Sequence, residues 1–276
     1  MTNLDRIDSR ITLNNGLLIP VLGLGVYKSG SKTYDAVRSA LDIGYRRIDT
    51  ASLYENEEAV GRAIIDSGLK RKDVFITTKI WNTDIRSGKI LEACERSLEL
   101  LNTDYIDLYL MHWPVPDKYV AAYCEMEKLL DKKLIKALGV SNFLIPQLDN
   151  LLPKCNIVPA LNQIETHPYL TNVSLIDYCI KHNITPEAWA PICRGTIISD
   201  PVILSIADKY SRTPTQIVLR WHLQRQTTVI PKSVNQKRIA ENSKIFDFTL
   251  DDADMDLIYD LNSNHRTGPD PANFDF

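Results

Sequence analysis

The run Gly44-Tyr45-Arg46-Arg47-Ile48-Asp49-Thr50-Ala51-Ser52-Leu53-Tyr54-Glu55-Asn56-Glu57-Glu58 holds the joint of a strand–loop–helix unit. A helical pattern precedes it over about residues 32–43, with Ala36, Val37, Ala40 and Leu41 on one face. Residues 46–49 then read as a strand that stops on the carboxylate of Asp49. A short loop presents the phenol of Tyr54, and a new helix over about residues 57–67 stops at Gly68. The same grammar recurs in both directions. Strands are expected near residues 21–26, 74–79, 105–112, 135–140, 160–164, 185–189 and 228–230. Helices are expected at about 88–101, 119–132, 172–182 and 236–243, with extra helices at 202–209, 215–223 and 251–261. Eight strand–helix units imply a parallel sheet, and that number favours closure. The expectation is an α/β protein, a (β/α)8 TIM barrel forming one domain over residues 1–276, with an N-terminal β-hairpin turning at Asn15-Gly16. The tail, residues 266–276, has no periodicity and is expected as a surface segment.

The 276 residues match either two average domains or one barrel, which typically runs to about 250 residues. A net charge of −3 argues against a broad nucleic-acid surface. The first residues carry charges and no apolar core of a signal peptide, and no apolar run reaches membrane-spanning length. The five cysteines are an odd set without C-x-x-C spacing, which points to reduced thiols rather than a disulfide frame or metal site. These features predict a cytoplasmic monomer with no membrane, nucleic-acid or metal partner.

The chemistry gathers at predicted strand ends. Asp49, Lys79 and His112 follow strands two, three and four, and the loop after strand two can bring Tyr54 to them. In a closed parallel barrel this is the face that carries active sites. Taken singly, Asp49 reads better as a cap or turn residue. Tyr54 alone reads as a packed surface aromatic, Lys79 as a solvated strand end and His112 as a satisfied core histidine. Together, an acid, a phenol, an amine and an imidazole at consecutive strand ends form a proton-transfer set. A nearby ammonium would lower the phenol's pKa, Asp49 would orient Lys79, and His112 would hydrogen-bond a substrate oxygen. Gly23-Leu24-Gly25-Val26-Tyr27-Lys28 is not a complete G-x-G-x-x-G, so a Rossmann site is not supported.

Nearly the whole chain resembles the aldo-keto reductase family. The matching runs are Gly44 to Ala51, Tyr54 to Glu57, Thr78 to Trp81, His112 to Pro114, Gly139 to Phe143, Asn162-Gln163 and Ile230 to Val234. The resemblance implies NADPH-dependent reduction of an aldehyde or ketone, with Tyr54 as general acid, Asp49 and Lys79 as its partners, and His112 orienting the carbonyl. It places the nicotinamide amide on Ser141, Asn142 and Gln163 and the ring against Trp189. The adenosine end falls to Lys232, Ser233, Val234, Arg238, Glu241 and Asn242, with Lys232 and Arg238 on the 2′-phosphate that distinguishes NADPH from NADH. Tyr27, Trp81 and Trp113 would line an aromatic substrate pocket, more open than in longer relatives. Two other readings stay open: a non-enzymatic NADP-binding regulatory barrel, and a barrel enzyme that uses no nicotinamide.

Overall fold

A computed structural model describes residues 4–276. The chain begins with an antiparallel hairpin, β1 (Arg10–Thr12) and β2 (Leu18–Pro20), followed by β3 (Leu24–Gly25) and helix α1 (Thr33–Ile43). Next come β4 (Arg47–Asp49), α2 (Glu57–Asp66), β5 (Phe75–Ile80), α3 (Asn82–Ser87) and α4 (Ile90–Leu101). They are followed by β6 (Ile106–Met111), α5 (Tyr119–Asp131), β7 (Ile135–Ser141), α6 (Ile145–Leu151), β8 (Leu161–Glu165) and α7 (Val173–Lys181). The last elements are β9 (Thr185–Trp189), α8 (Pro201–Tyr210), α9 (Pro214–Gln224), β10 (Thr228–Val229), α10 (Gln236–Asn242) and α11 (Asp252–Tyr259).

Strands β3 to β10 form one parallel sheet in chain order. Bridges Leu22↔Val229 and Gly25↔Lys232 join its two edges, so the sheet curls into a barrel. The closing contact is short on both sides, which explains why β3 and β10 are only two residues each where the sequence predicts longer strands. All six residues of β5 and all six of β6 are buried, as expected where one face meets helices and the other fills the barrel.

Strand alternation decides what the barrel contains. On β5, Ile76 packs outward with α1, α2 and α4, while Phe75 packs inward with Leu108, Leu110, Ala137 and Leu161. Leu13 and Ile19 from the hairpin region join that inner cluster and plug the bottom of the barrel. Asn14 and Asn15 tie the hairpin turn to the carbonyls of Val158, Pro159 and Lys136. Outside, α2 meets α4 so closely that a Cβ on Gly61 would lie 2.3 Å from the Leu101 carbonyl oxygen. That contact needs glycine.

Two short helices escape the sequence reading. Helix α3 has six residues and α6 seven, too few for a helical period to declare itself. The expected helix over 88–101 is α4, and α3 precedes it, ended by Gly88 at φ 70°.

Candidate active site

Asp49 closes β4 and Lys79 lies near the end of the neighbouring β5, both pointing into the barrel mouth. Lys79 Nζ donates to Asp49 Oδ1 at 2.7 Å and to the Thr50 carbonyl at 2.8 Å. Both side chains are almost fully buried. The Lys79 ammonium lies 5.1 Å from the centre of the Tyr54 ring, and the His112 ring lies 5.7 Å from it, edge-on. Four groups from three separate stretches of sequence therefore share one small volume.

Tyr54 reaches this place because its loop is tied at each end. Residues Ser52–Tyr54 make a single 3-10 turn, ended by Glu55 at φ 53°. The Ser52 hydroxyl donates to the Lys79 carbonyl at 2.9 Å. The Thr50 hydroxyl donates to Asn56 Oδ1 at 2.6 Å, and Asn56 Nδ2 donates to the Val26 carbonyl at 3.0 Å. Ser52, Thr50 and Asn56 are thus positioning residues that the sequence reading missed. Their signal, polar side chains flanking the key tyrosine, is too common to stand out.

The electrostatics differ from expectation at the phenol. Burial pushes the Tyr54 pKa well above its usual value, with Asp49 and Tyr27 adding to the rise; the lowering expected from Lys79 does not prevail. Burial also raises the Asp49 carboxyl, against the pull of the Lys79 ammonium. Burial, followed by the Lys79 charge, drives His112 well below the ordinary histidine range. The site therefore offers a phenol that keeps its proton and a neutral imidazole. The His112 Nδ1 atom is buried without a hydrogen-bond partner among the described residues.

Further residues surround this centre. Asn142 Nδ2 donates to the His112 carbonyl at 2.9 Å, and its Oδ1 accepts from the Trp189 indole N–H, also at 2.9 Å. Asn142 therefore braces the histidine against the indole. The Ser141 hydroxyl donates to the Gln163 carbonyl at 2.9 Å. Gln163 points inward from β8, and its side-chain nitrogen donates to Asp49 Oδ2 at 2.7 Å and to Glu187 Oε1 at 3.0 Å.

Asp49, Tyr54, His112, Ser141, Asn142, Gln163 and Trp189 border one cavity of about 1070 Å³. It runs from Tyr27, Tyr54, Trp81, His112 and Trp113 past Trp189 to Lys232, Ser233, Val234, Arg238, Glu241 and Asn242. Lys232 and Arg238 are exposed and form no ion pair among the described residues. Burial and the neighbouring Lys32 charge hold the Lys232 pKa below its usual value. Positive charges crowd there, and an anion would relieve them. No group of three metal-ligand side chains occurs among the described residues, and no helix is long and apolar enough to cross a membrane.

The tail corrects the sequence reading. It is not a free surface segment: it docks against the barrel mouth, and Pro269 and Phe276 line the cavity. Glu165 accepts from the Thr267 and Gly268 N–H groups at 2.6 and 3.2 Å. This sets Gly268 against Trp189, where a Cβ would lie 2.4 Å from the indole ring. Further on, Phe276 stacks on Trp81 at 5.8 Å and meets Trp113 edge-on at 5.1 Å. Asn82 and Arg86 hold the Phe276 oxygen at 3.0 and 2.6 Å. A segment without periodicity gave no sign of these docking contacts.

Comparison with known proteins agrees with this geometry. The model of the Aldo/keto reductase family matches residues 21–263. A glyoxal reductase of Bacillus subtilis is 46% identical, covering 95% of this chain and 95% of its own. A methylglyoxal reductase, DkgA, of Escherichia coli K12 is 45% identical, covering 96% and 97%. The crystal structure of an aldo-keto reductase enzyme from a Medee basin deep-sea metagenome library superposes with a TM-score of 0.94 at 44% identity, over 96% of this chain and 100% of that one. With an inward-facing polar set at the mouth of a parallel barrel and matches along nearly its whole length, this chain belongs to the aldo/keto reductase family.

Proposed function

We propose that the protein reduces small aldehydes or ketones to alcohols with NADPH, using Tyr54 as the proton donor. The observation that carries this reading is the convergence of Lys79, Asp49, Tyr54 and His112 at one end of a cavity whose other end holds Lys232 and Arg238. The glyoxal and methylglyoxal reductase relatives support a small reactive carbonyl as substrate.

The residues present fit a nicotinamide dinucleotide. The cavity is long enough to join the aromatic mouth to the cation cluster, and the Trp189 ring forms part of its wall. Lys232 and Arg238 would hold the 2′-phosphate, while Ser233, Val234, Glu241 and Asn242 would surround the adenosine. Ser141, Asn142 and Gln163 would lie at the carboxamide. The bound dinucleotide supplies the hydride.

The chain's own groups handle the rest. A carbonyl oxygen placed between Tyr54 and His112 can accept a hydrogen bond from each. Reduction builds negative charge on that oxygen, which then takes the Tyr54 proton. The developing phenolate lies near the Lys79 ammonium, which Asp49 and the Thr50 carbonyl hold in place. Burial keeps the phenol protonated at rest, and the Lys79 ammonium 5.1 Å from its ring would stabilise the phenolate as the proton leaves. The aromatic walls exclude water and favour compact apolar substrates.

The direct test is Tyr54→Phe, assayed by NADPH oxidation with methylglyoxal. Loss of general acid catalysis should lower kcat by about 10²–10⁴-fold while NADPH binding persists. Near-normal turnover would sink the assignment of Tyr54.

A further inference from the structure

Glu187 lies on β9, fully buried beneath the proton-transfer set, and no role in the reaction has been given to it. It is held in place on several sides. Arg47 grips both carboxylate oxygens, Nη2 to Oε1 at 2.7 Å and Nη1 to Oε2 at 2.5 Å. The Thr228 hydroxyl donates to Oε2 at 2.8 Å. Its Oε1 also accepts from the Gln163 side-chain nitrogen at 3.0 Å, while Asp49 accepts from the same nitrogen at 2.7 Å. Paired charges thus bracket the Gln163 amide: Arg47 with Glu187 below it and Asp49 with Lys79 above.

An amide NH2 has two N–H donors, and here each faces a carboxylate oxygen. Turning the amide over would place its oxygen against two carboxylates, at a cost no neighbour offsets. The side chain is therefore confined to one orientation, and the oxygen is the atom it can offer to a ligand in the cavity it borders. Such a group accepts but does not donate. It selects a ligand group carrying N–H.

We propose that Glu187 is a positioning residue for cofactor recognition: together with Asp49 it locks the Gln163 amide so that its oxygen accepts from the carboxamide N–H2 of the nicotinamide. This rests on the nicotinamide reading above. Arg47 serves by keeping Glu187 paired and fixed in a dry interior, since a lone buried charge would be strongly destabilising.

The test is equilibrium binding by fluorescence, with NADP+ and with its 3-acetylpyridine analogue, whose methyl ketone replaces the carboxamide and has no N–H. Single removal of Glu187 would strand Arg47, so the pair is neutralised together. In R47M/E187M the acceptor beneath Gln163 is gone. In R47M/E187Q a carbonyl oxygen remains there without the charge. The expected result is that NADP+ binds about fivefold more weakly to R47M/E187M, the size of one lost hydrogen bond. The analogue should change less than twofold, and R47M/E187Q should recover most of the NADP+ affinity. Equal weakening of both ligands, or unchanged NADP+ binding in R47M/E187M, overturns the role of Glu187 while leaving the nicotinamide reading intact. Failure of the unaltered protein to bind either dinucleotide overturns that reading and this proposal together.

Discussion

The two ends of the cavity are built differently. At the barrel mouth, Asp49 and Lys79 sit on strands, are buried and are bound to each other, and Asp49 also accepts from Gln163. At the far end, Lys232 and Arg238 lie on a loop and a short helix, exposed to solvent. The first end is part of the core, so its residues carry stability as well as chemistry. The second is a surface cluster whose charges are available to a ligand. Substitutions should therefore couple stability to activity at the mouth and uncouple them at the cation end.

The sharpest way to break this contrast is Lys79→Met. It leaves Asp49 buried without its partner, which should cost about 3–5 kcal/mol of stability, and it removes the charge beside Tyr54. Asp49→Asn combined with Lys79→Met should recover much of the urea midpoint but none of the activity. If the double variant is active, the pair is structural only. Next in size, Arg238→Ala and Lys232→Ala should each weaken NADPH by about tenfold or more, the scale of a charge-assisted hydrogen bond. NADH binding and the melting temperature should hardly move. Equal losses for both cofactors would remove the phosphate assignment.

A smaller effect is expected at the tail. Phe276→Ala removes the ring stacked on Trp81 and should raise KM for aromatic aldehydes severalfold, with little change for methylglyoxal, since an aromatic pair contributes about 0.5–1.5 kcal/mol. Steady-state kinetics on the two substrates would show it.

The smallest effect is a pH dependence at His112. Its folded pKa is lowered, so below the unfolded value near 6.5 the unfolded chain binds the extra proton. The stability linked to this group is complete above pH 6.5 and is lost as pH falls below it. The difference should appear as a steeper fall in urea midpoint from pH 7.5 to 5.5 for the wild type than for His112→Gln. Parallel falls would show that the imidazole is not held neutral by burial.

Much of the site could be read in the sequence because strand ends impose order. Once eight strand–helix units are counted, Asp49, Lys79 and His112 must fall on one face, and the loop length lets Tyr54 join them. The ties that hold Tyr54 could not be read, because Ser52, Thr50 and Asn56 act through contacts set by neighbouring strands. The phenol's pKa went the other way from the sequence expectation because burial, which the sequence does not show, outweighs a nearby ammonium. Glu187 and Arg47 were hidden for a similar reason: 140 residues apart, they meet only when the sheet curls.

By itself the sequence determined the repeating strand–helix order, the polar strand ends and the family motifs, because hydrophobic period and residue chemistry are local. Tertiary structure alone decided that the tail docks against Trp81, Trp113 and Trp189, that Asn142 braces His112 against Trp189, and that two carboxylates hold Gln163 between them. Each of these depends on contacts made when the barrel closes, and closure brings together side chains from strands that no local pattern relates.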